Sequence, residues 1–168
     1  PKRREELLPK LKKICKAHLI IIPADELTDM MDRMNLNEIE ALKIAGLLTK
    51  EKEAQSAFID SPDPIPSTFA KRIEKYLKGK KIKLICENKS DRNHPIVSAA
   101  SIVAKTKRDE EIEKIKKILG ADFGSGYTSD PITIEYLKKN LSNEKLQKYL
   151  RHKWKTLERL RQSHIGDY

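Results

Sequence analysis

Two aspartates follow short stretches that have the composition of buried β-strands. Asp60 closes the stretch Ser56 to Asp60, and Asp91 lies four residues beyond the stretch Lys81 to Glu87. Carboxylate oxygen is the ligand that hard divalent cations such as Mg²⁺ prefer. Two such acids in one place predict a site where a metal assists the hydrolysis of a phosphodiester.

The segment between the two stretches should bring these acids together. Ser67 to Leu77 has apolar residues at helical spacing. A helix that joins two strands makes them parallel neighbours, and ligands bind at the carboxyl edge of such sheets. Taken singly, Asp60 also suits a turn before Ser61-Pro62, and Asp91 also suits a cap before Pro95. Their shared edge in a basic protein favours a functional role.

Strands alternate with helices along the first part of the chain, which predicts an α/β fold with a largely parallel sheet. His18 to Pro23 is an unbroken apolar stretch and is expected to be a further strand, buried on both faces. Pro95 should begin a long helix that extends to Leu119, and three helical segments follow from Pro131. We therefore expect a core in residues 1–130 and a helical extension in residues 131–168 that binds nucleic acid.

The chain carries a net charge of +10 at pH 7, which favours a polyanionic partner. A generally Lys-rich surface is the alternative. Basic residues are concentrated between Lys145 and His164, with Tyr149 and Trp154 interleaved among them. Leucines should pack this stretch as a helix pair and leave a basic face for phosphates, although a solvated helix would have the same composition. The residues expected to bind nucleic acid here are Arg151, Lys153 and Lys155.

The segment Gly124-Ser125-Gly126-Tyr127 combines flexible backbone with an aromatic ring. Glycines let backbone N–H groups approach a phosphate, and a tyrosine can stack on a sugar or base. A glycine-rich helix exit with a core tyrosine is an equal alternative from the residues alone. Asp109 could be a third acid, but its neighbours favour a solvated helix face on which it pairs with Lys105.

The two cysteines, Cys15 and Cys86, lack the spacing of a metal site and are expected to be small buried residues. They fit a reducing compartment, and no apolar stretch approaches the ~20 residues that cross a bilayer. We expect a cytoplasmic monomer with no membrane association. The chain begins at Pro1 inside a helical pattern, so we also expect a missing or separate N-terminal segment.

Several segments, in order along nearly the whole chain, resemble the ribonuclease HII family, the type 2 ribonucleases H, in its archaeal and eukaryotic branch. The most specific are Ser98 to Ile102 and Gly124 to Pro131, taken together. The others are Met34 to Glu40, Phe58 to Pro62, Glu87 to Asp91, the remainder of Pro95 to Lys105, Lys107-Arg108-Asp109 and Trp154-Lys155-Thr156.

The resemblance implies an RNase H-like mixed sheet flanked by helices, and a requirement for Mg²⁺ or Mn²⁺. The implied substrates are RNA in RNA–DNA hybrids and ribonucleotides embedded in duplex DNA, cleaved to leave a 3′-hydroxyl and a 5′-phosphate. Asp60 and Asp91 match two of the four metal-binding acids of the family. Tyr127 matches the tyrosine that contacts the RNA–DNA junction, and Lys89 is expected to contact nucleic acid beside Asp91.

Two motifs of the family do not occur in these 168 residues. One is Asp-Glu-Ala-Gly-Arg-Gly-Pro, which supplies the other two acids, and the second is Lys-Asp-Ser-Lys. We therefore expect the N-terminal strands to be absent from this chain, and the 168 residues alone to be inactive or nearly so. Smaller departures are Asn88 for the usual histidine and Ser90 for the usual alanine.

Two other functions remain open. A basic module could bind nucleic acid without cleaving it, and its binding would then depend strongly on salt. A small flavodoxin-like protein could instead hold one Mg²⁺ beside its first strand, where Asp25 follows Pro23.

Overall fold

The computed structural model describes residues 2–165 of the chain. Its helices are α1 (Lys2–Ile14), α2 (Ala24–Met31), α3 (Leu36–Lys50), α4 (Pro66–Tyr76), α5 (Pro95–Leu119), α6 (Pro131–Asn140), α7 (Glu144–Gln147) and α8 (Lys155–Ile165). The strands are β1 (Ser56–Asp60) and β2 (Lys83–Glu87), and a 3₁₀ turn covers Ser90–Arg92. This mixed architecture confirms the predicted α/β fold class.

The chain divides into two compact units. The first, the strand unit, contains the chain up to Ile21 together with Met34–Thr106. The second, the helical unit, contains Ile22–Arg33 and the chain from Lys107 onward. Both strands therefore belong to the strand unit. The functional division expected at residue 130 stays a prediction.

The strands β1 and β2 are parallel neighbours, and the register places Asp60 opposite Glu87 at their carboxyl ends. The connection between them passes through α4. This helix starts with Pro66 in its first turn, where the fixed φ of proline suits a helix and its missing N–H is not needed. The pairing confirms that the carboxyl ends of both strands meet at one edge.

The core of the strand unit joins α3, β1 and α4. Phe69 and Ile73 on α4 are completely buried, as is the small Ala41 on α3. Small side chains on α3 let the two helices approach closely. Asn35 caps α3, where its side chain accepts a hydrogen bond from the Glu38 amide at 2.9 Å. The other buried members of this core are Ala45, Ile59 and Leu77.

The apolar stretch His18–Pro23 is not a strand, contrary to the prediction. Leu19 is 46 % exposed and Ile21 is 52 % exposed. A strand requires partners for its backbone groups, and in the part of the chain that the structure describes β1 pairs only with β2. Asp25 lies instead in the first turn of α2, so the flavodoxin-like alternative lacks the strand on which it depended.

The two cysteines are free thiols and are half-buried, so the expectation of buried residues is met only in part. Cys86 packs against the core of the strand unit. Burial raises the pKa of its thiol, with a smaller contribution from the negative charge of Glu74. A thiol with a raised pKa is a poor nucleophile, which agrees with a packing role.

The helical unit is organised around leucines. Leu146, Leu150 and Leu157 are buried together, and α6 begins at Pro131 after the capping residue Asp130. Partly buried residues that pack against this cluster are Leu119, Tyr136, Leu137 and Leu141. No helix between residues 2 and 165 is both long enough and apolar enough to span a membrane.

Candidate active site

Asp60 and Asp91 lie at the carboxyl edge of the two strands. Beyond Asp60, the Ser61 amide donates to the Glu87 carbonyl at 2.9 Å, which extends the pairing by one residue. The Ser90 amide donates to Oδ1 of Asp60 at 3.1 Å. Because Ser90 directly precedes Asp91, this hydrogen bond holds the first acid against the turn that carries the second.

The turn that carries Asp91 begins with a residue in the left-handed region. Lys89 has φ 57° and ψ 36°, which a non-glycine residue rarely adopts. The chain therefore reverses sharply after β2, and Ser90 becomes fully buried while Lys89 stays exposed. Unusual backbone at such a position is typical of a site whose geometry is held by its surroundings.

The acids fit part of a divalent-metal site. Asp60 is exposed and Asp91 is half-buried, and both offer hard carboxylate oxygens of the kind that Mg²⁺ and Mn²⁺ bind. Within residues 2–165 there is no cluster of three or more His, Cys, Asp or Glu side chains that could hold a metal. Asp60 and Asp91 would therefore supply two ligands of such a site, and not a complete set.

Glu87, which lies opposite Asp60 in the sheet, is engaged by the turn that follows it. Asn93 Nδ2 donates to Glu87 Oε2 at 3.1 Å, and His94 Nε2 lies 3.2 Å from the same oxygen. The Asn93 amide, followed by His94, lowers the pKa of Glu87. The His94 ring also packs against Phe58 of β1, with 4.5 Å between the ring centroids. Glu87 is thus an ionised neighbour of the two candidate ligands with partners of its own.

A chain of ion pairs anchors the loop that follows Asp60. Asp63 is only 6 % exposed, and its carboxylate accepts hydrogen bonds from Asn37 Nδ2 and from Arg72 Nε. Arg72 also donates from Nη1 to Oε2 of Glu38 at 2.7 Å. The loop is therefore tied to α3 through Asn37 and Glu38, and to α4 through Arg72.

Glu38 is the most strongly perturbed acid of this network. It accepts hydrogen bonds from the Tyr76 hydroxyl at 2.6 Å, from Lys75 Nζ at 2.9 Å and from Arg72. These three donors, in that order of importance, lower the pKa of Glu38 to about 2. Asn37 first, and Arg72 second, lower the pKa of Asp63. Both carboxylates therefore stay ionised at neutral pH.

The Gly-Ser-Gly-Tyr turn of the helical unit is held by the carboxylate of Asp130. Its Oδ2 accepts from the amide of Ser125 at 2.6 Å and from the hydroxyl at 2.7 Å. Its Oδ1 accepts from the Ile132 amide at 3.0 Å, as the cap of α6. These hydrogen bonds, above all the one from the Ser125 amide, lower the pKa of Asp130 to about 2.

Tyr127 is 45 % exposed and is therefore not a core tyrosine. The guanidinium carbon of Arg108 lies 3.6 Å from the centroid of its ring, an attractive cation–π arrangement. Arg108 Nη1 also donates to the Ser125 carbonyl at 2.8 Å and lies 3.4 Å from an Asp109 carboxylate oxygen. Arg108 thus sets the orientation of an accessible aromatic ring.

The basic residues of the C-terminal region have different surroundings. The Arg151 guanidinium lies 4.5 Å from the centroid of the Trp154 ring. Lys153 forms an ion pair with Asp32, which offsets its charge. Lys155 is exposed in the first turn of α8. The charge of Lys153 is therefore less available to a polyanion than the charge of the exposed Lys155.

The structure gathers Asp60, Asp91 and Lys89 in the strand unit. The other residues predicted to bind nucleic acid, which are all in the helical unit, are Tyr127, Arg151, Lys153 and Lys155. Sequence patterns did not assign a role to Asn88, Ser90 or Arg108. Asn88 and Ser90 were visible only as departures from the family pattern, and the contact of Arg108 with Tyr127 had no local signal.

Comparison with known proteins decides the family. The sequence model described as Ribonuclease HII matches residues 1–157 of the chain. The chain belongs to the ribonuclease HII family. Ribonuclease HII enzymes are type 2 ribonucleases H, hydrolases that cleave RNA–DNA hybrids internally, and membership places this protein in that class.

Other ribonuclease HII proteins match almost the whole chain. Ribonuclease HII of Archaeoglobus fulgidus is 37 % identical over 166 residues, which are 99 % of this chain and 78 % of the relative. The structure of a PCNA:RNase HII complex from that organism matches with a TM-score of 0.86 and 36 % identity, covering 99 % of this chain and 79 % of the other. The structure of ribonuclease H2 from Pyrococcus horikoshii OT3 matches with a TM-score of 0.83 and 34 % identity, covering 98 % of this chain and 78 % of the other. These comparisons confirm the family and the fold that the motifs implied.

Proposed function

We propose that this ribonuclease HII hydrolyses RNA in RNA–DNA hybrids and ribonucleotides embedded in duplex DNA at the carboxyl edge of β1 and β2. The observation that carries the proposal is the hydrogen bond from the Ser90 amide to Oδ1 of Asp60. It joins the end of one strand to the turn after the other, where Asp91 follows. Two carboxylates that lie at one edge of a sheet are suited to hold a shared cation.

The proposed cofactor is Mg²⁺ or Mn²⁺, held in part by Asp60 and Asp91. A bound divalent ion would supply Lewis-acid stabilisation of charge that develops on a phosphodiester. The protein contributes fixed oxygen ligands, because the Ser90 amide orients Asp60 and the 3₁₀ turn orients Asp91. Lys89 is exposed and directly precedes Ser90, and it adds positive charge for the phosphate backbone of the substrate.

The helical unit is proposed to bind the duplex. Tyr127 is accessible and oriented by Arg108, so it suits stacking on a sugar or base of the substrate. Arg151 and Lys155 are proposed to contact phosphates, and Lys153 to contribute less because it is paired with Asp32. We further propose that the protein acts as a cytoplasmic monomer, with residues 131–168 as its nucleic-acid-binding extension.

The 168 residues alone are proposed to be inactive or nearly so. They contain no Asp-Glu-Ala-Gly-Arg-Gly-Pro motif, and the part that the structure describes has no third metal ligand beside Asp60 and Asp91. Two carboxylates hold a hydrated divalent ion weakly, since such sites draw on several oxygen ligands.

A cleavage assay tests this proposal on a duplex with one embedded ribonucleotide and on a long RNA–DNA hybrid. The 168-residue chain should show almost no cleavage with Mg²⁺ or Mn²⁺. The same chain extended at its N terminus by a segment that carries the missing motif should cleave, and Asp60→Asn should abolish that activity. Asp25→Asn is the matched control and should leave it unchanged. Robust turnover by the unextended chain, or full activity of the extended Asp60→Asn variant, would contradict the proposal.

A non-catalytic nucleic-acid-binding module is the second candidate. The absence of a metal-binding cluster of three side chains within residues 2–165, together with the net charge of +10, favours it. This candidate predicts salt-dependent binding without metal-dependent cleavage, even after the N-terminal segment has been added. Cleavage by the extended chain would exclude it.

A further inference from the structure

The side-chain amide of Asn88 bridges the two loops at the candidate active site. Its Nδ2 donates to the Ser61 carbonyl at 3.0 Å and to the Asp63 carbonyl at 2.8 Å. Both acceptors are carbonyl oxygens, so only the NH₂ group of the amide can face them, and its two protons satisfy both. Ser61 and Asp63 follow Asp60 on one loop, whereas Asn88 precedes Asp91 on the other.

The loop after β1, to which Asn88 donates, is itself held by two further sets of hydrogen bonds. The Ser61 hydroxyl donates to the same Asp63 carbonyl at 3.2 Å. The buried side chain of Asp63 is held by Asn37 of α3 and Arg72 of α4. Asn88 therefore attaches the turn after β2 to a loop that is already anchored on the helical layer of the strand unit.

We propose that Asn88 is a positioning residue, which sets the separation of the Asp60 and Asp91 carboxylates by clamping the loop after β1 to the turn after β2. Asn88 does not itself touch a substrate or a metal in this role. The inference rests on the proposed function only in so far as the two carboxylates share a cation. The clamp itself is a property of the loops and can be measured without any metal.

The clamp requires a donor of this shape at residue 88. Alanine removes both hydrogen bonds. Aspartate has the same shape but would place carboxylate oxygen against two carbonyl oxygens, which repel it. Histidine keeps a single N–H donor for one of the two carbonyls. Asn88 as a whole residue is exposed, so none of these substitutions disturbs the buried core.

Hydrogen exchange tests the clamp in the full 168-residue chain without metal. The informative amide is Ser90, which donates to Asp60 only while the two loops are held together. Asn88→Ala and Asn88→Asp should each speed its exchange by about tenfold or more, since local opening sets the exchange of such amides. In Asn88→His, the exchange rate of the Ser90 amide should lie between the rates in these two variants and the rate in the parent. Exchange of the α3 amides should not change.

Asn93→Ala is the matched control. Asn93 lies in the same turn, but its side chain donates to Glu87 of β2 and not to the loop after β1. It should leave the exchange of the Ser90 amide unchanged. Unchanged exchange of that amide in Asn88→Ala, or an equal acceleration in Asn93→Ala, would overturn the inference. A general loss of stability would instead accelerate the α3 amides as well, and that result would also overturn a specific positioning role.

A Mn²⁺ titration separates this inference from the proposed function. Supports of metal ligands commonly change affinity by about 10–100-fold when they are removed. Asn88→Ala should therefore weaken Mn²⁺ binding at Asp60 and Asp91 by about tenfold. If the parent chain binds no Mn²⁺ there while exchange of the Ser90 amide responds as expected, the proposed metal site is wrong and the clamp stands. If the parent binds and Asn88→Ala binds equally well, Asn88 does not position the two carboxylates, and the metal site stands.

Discussion

At the scale of single residues, Ser90 has a hydroxyl in a place that offers it no partner. The residue is completely buried, and its Oγ has no hydrogen-bond partner among the described residues. An unsatisfied buried polar group costs about 1–3 kcal/mol. Ser90→Ala should therefore raise the free energy of unfolding by about 1 kcal/mol, as measured by denaturant titration.

Ser61→Ala is the control for that prediction, because Ser61 is also buried but its hydroxyl donates to the Asp63 carbonyl at 3.2 Å. Removing a hydroxyl that has a partner should lower the free energy of unfolding. Destabilisation by Ser90→Ala would mean that its hydroxyl is satisfied in solution, for example by a buried water.

The two acids could be predicted from the sequence, but their supports could not. Asp60 and Asp91 follow stretches whose composition identifies strands, and the helix between those stretches imposes parallel pairing. The partners of Asn88 are backbone carbonyls 27 and 25 residues away in the chain. Such contacts depend on the packed loops and leave no periodic pattern. The same holds for the contact of Arg108 with Tyr127.

At the scale of elements, the Gly-Ser-Gly-Tyr turn depends on a glycine for two reasons. Gly124 has φ +76°, and a Cβ placed there would lie 2.5 Å from Oδ2 of Asp130. That oxygen is held by Ser125, so it cannot move away freely. Gly124→Ala should therefore destabilise the protein and displace Tyr127. Thermal unfolding measures the loss of stability, and the fluorescence of Tyr127 reports the change in its environment.

Gly120→Ala is the control that distinguishes backbone strain from a steric clash with Asp130. Gly120 also has a positive φ, of +63°, but a Cβ there would meet no atom within 4 Å. Gly120→Ala should lower the free energy of unfolding only by the cost of the left-handed backbone, about 1–2 kcal/mol, and Gly124→Ala should lower it by more. Equal effects of the two substitutions would show that Asp130 does not hold the turn as described.

The network around Glu38 predicts an acid-sensitive strand unit. The folded-state pKa of Glu38 is about 2, compared with 4.5 for an ordinary glutamate. A lowered pKa contributes stability that is complete above pH 4.5 and is lost as the pH falls toward 2. Unfolding near pH 3 should take up about one proton less in Glu38→Gln than in the parent. The measurement is the slope of unfolding free energy against pH, and identical slopes would contradict the assigned contacts.

The boundaries of several elements could be predicted because prolines mark them. The sequence predicts a long helix from Pro95 to Leu119 and a strand from Ser56 to Asp60, and the structure has both. His18–Pro23 was wrong as a strand, because an apolar composition does not supply a pairing partner. The division of the chain within α5, after Thr106, was not predicted: the composition changes there from small apolar to charged residues, but the helix continues without a proline or glycine.

At the scale of the whole molecule, the net charge of +10 should make binding of nucleic acid depend on salt. Each phosphate contact contributes about 0.9 to the slope of log K against log salt concentration. Lys155→Ala should reduce that slope for a duplex by about this amount. Lys153→Ala is the matched comparison and should have a smaller effect, because Asp32 already offsets its charge. Fluorescence anisotropy at several salt concentrations measures both, and equal effects would contradict the assignment.

The proposed function depends on the binding of one divalent cation by Asp60 and Asp91 at the edge of the sheet. Paramagnetic broadening of amide NMR signals by Mn²⁺ tests it most directly in the 168-residue chain. We predict that the signals of residues 60, 61, 90 and 91 broaden first, that Asp60→Asn and Asp91→Asn each suppress the effect at both loops, and that Asp25→Asn does not. Broadening that begins elsewhere, or that persists at both loops after either substitution, would contradict the account.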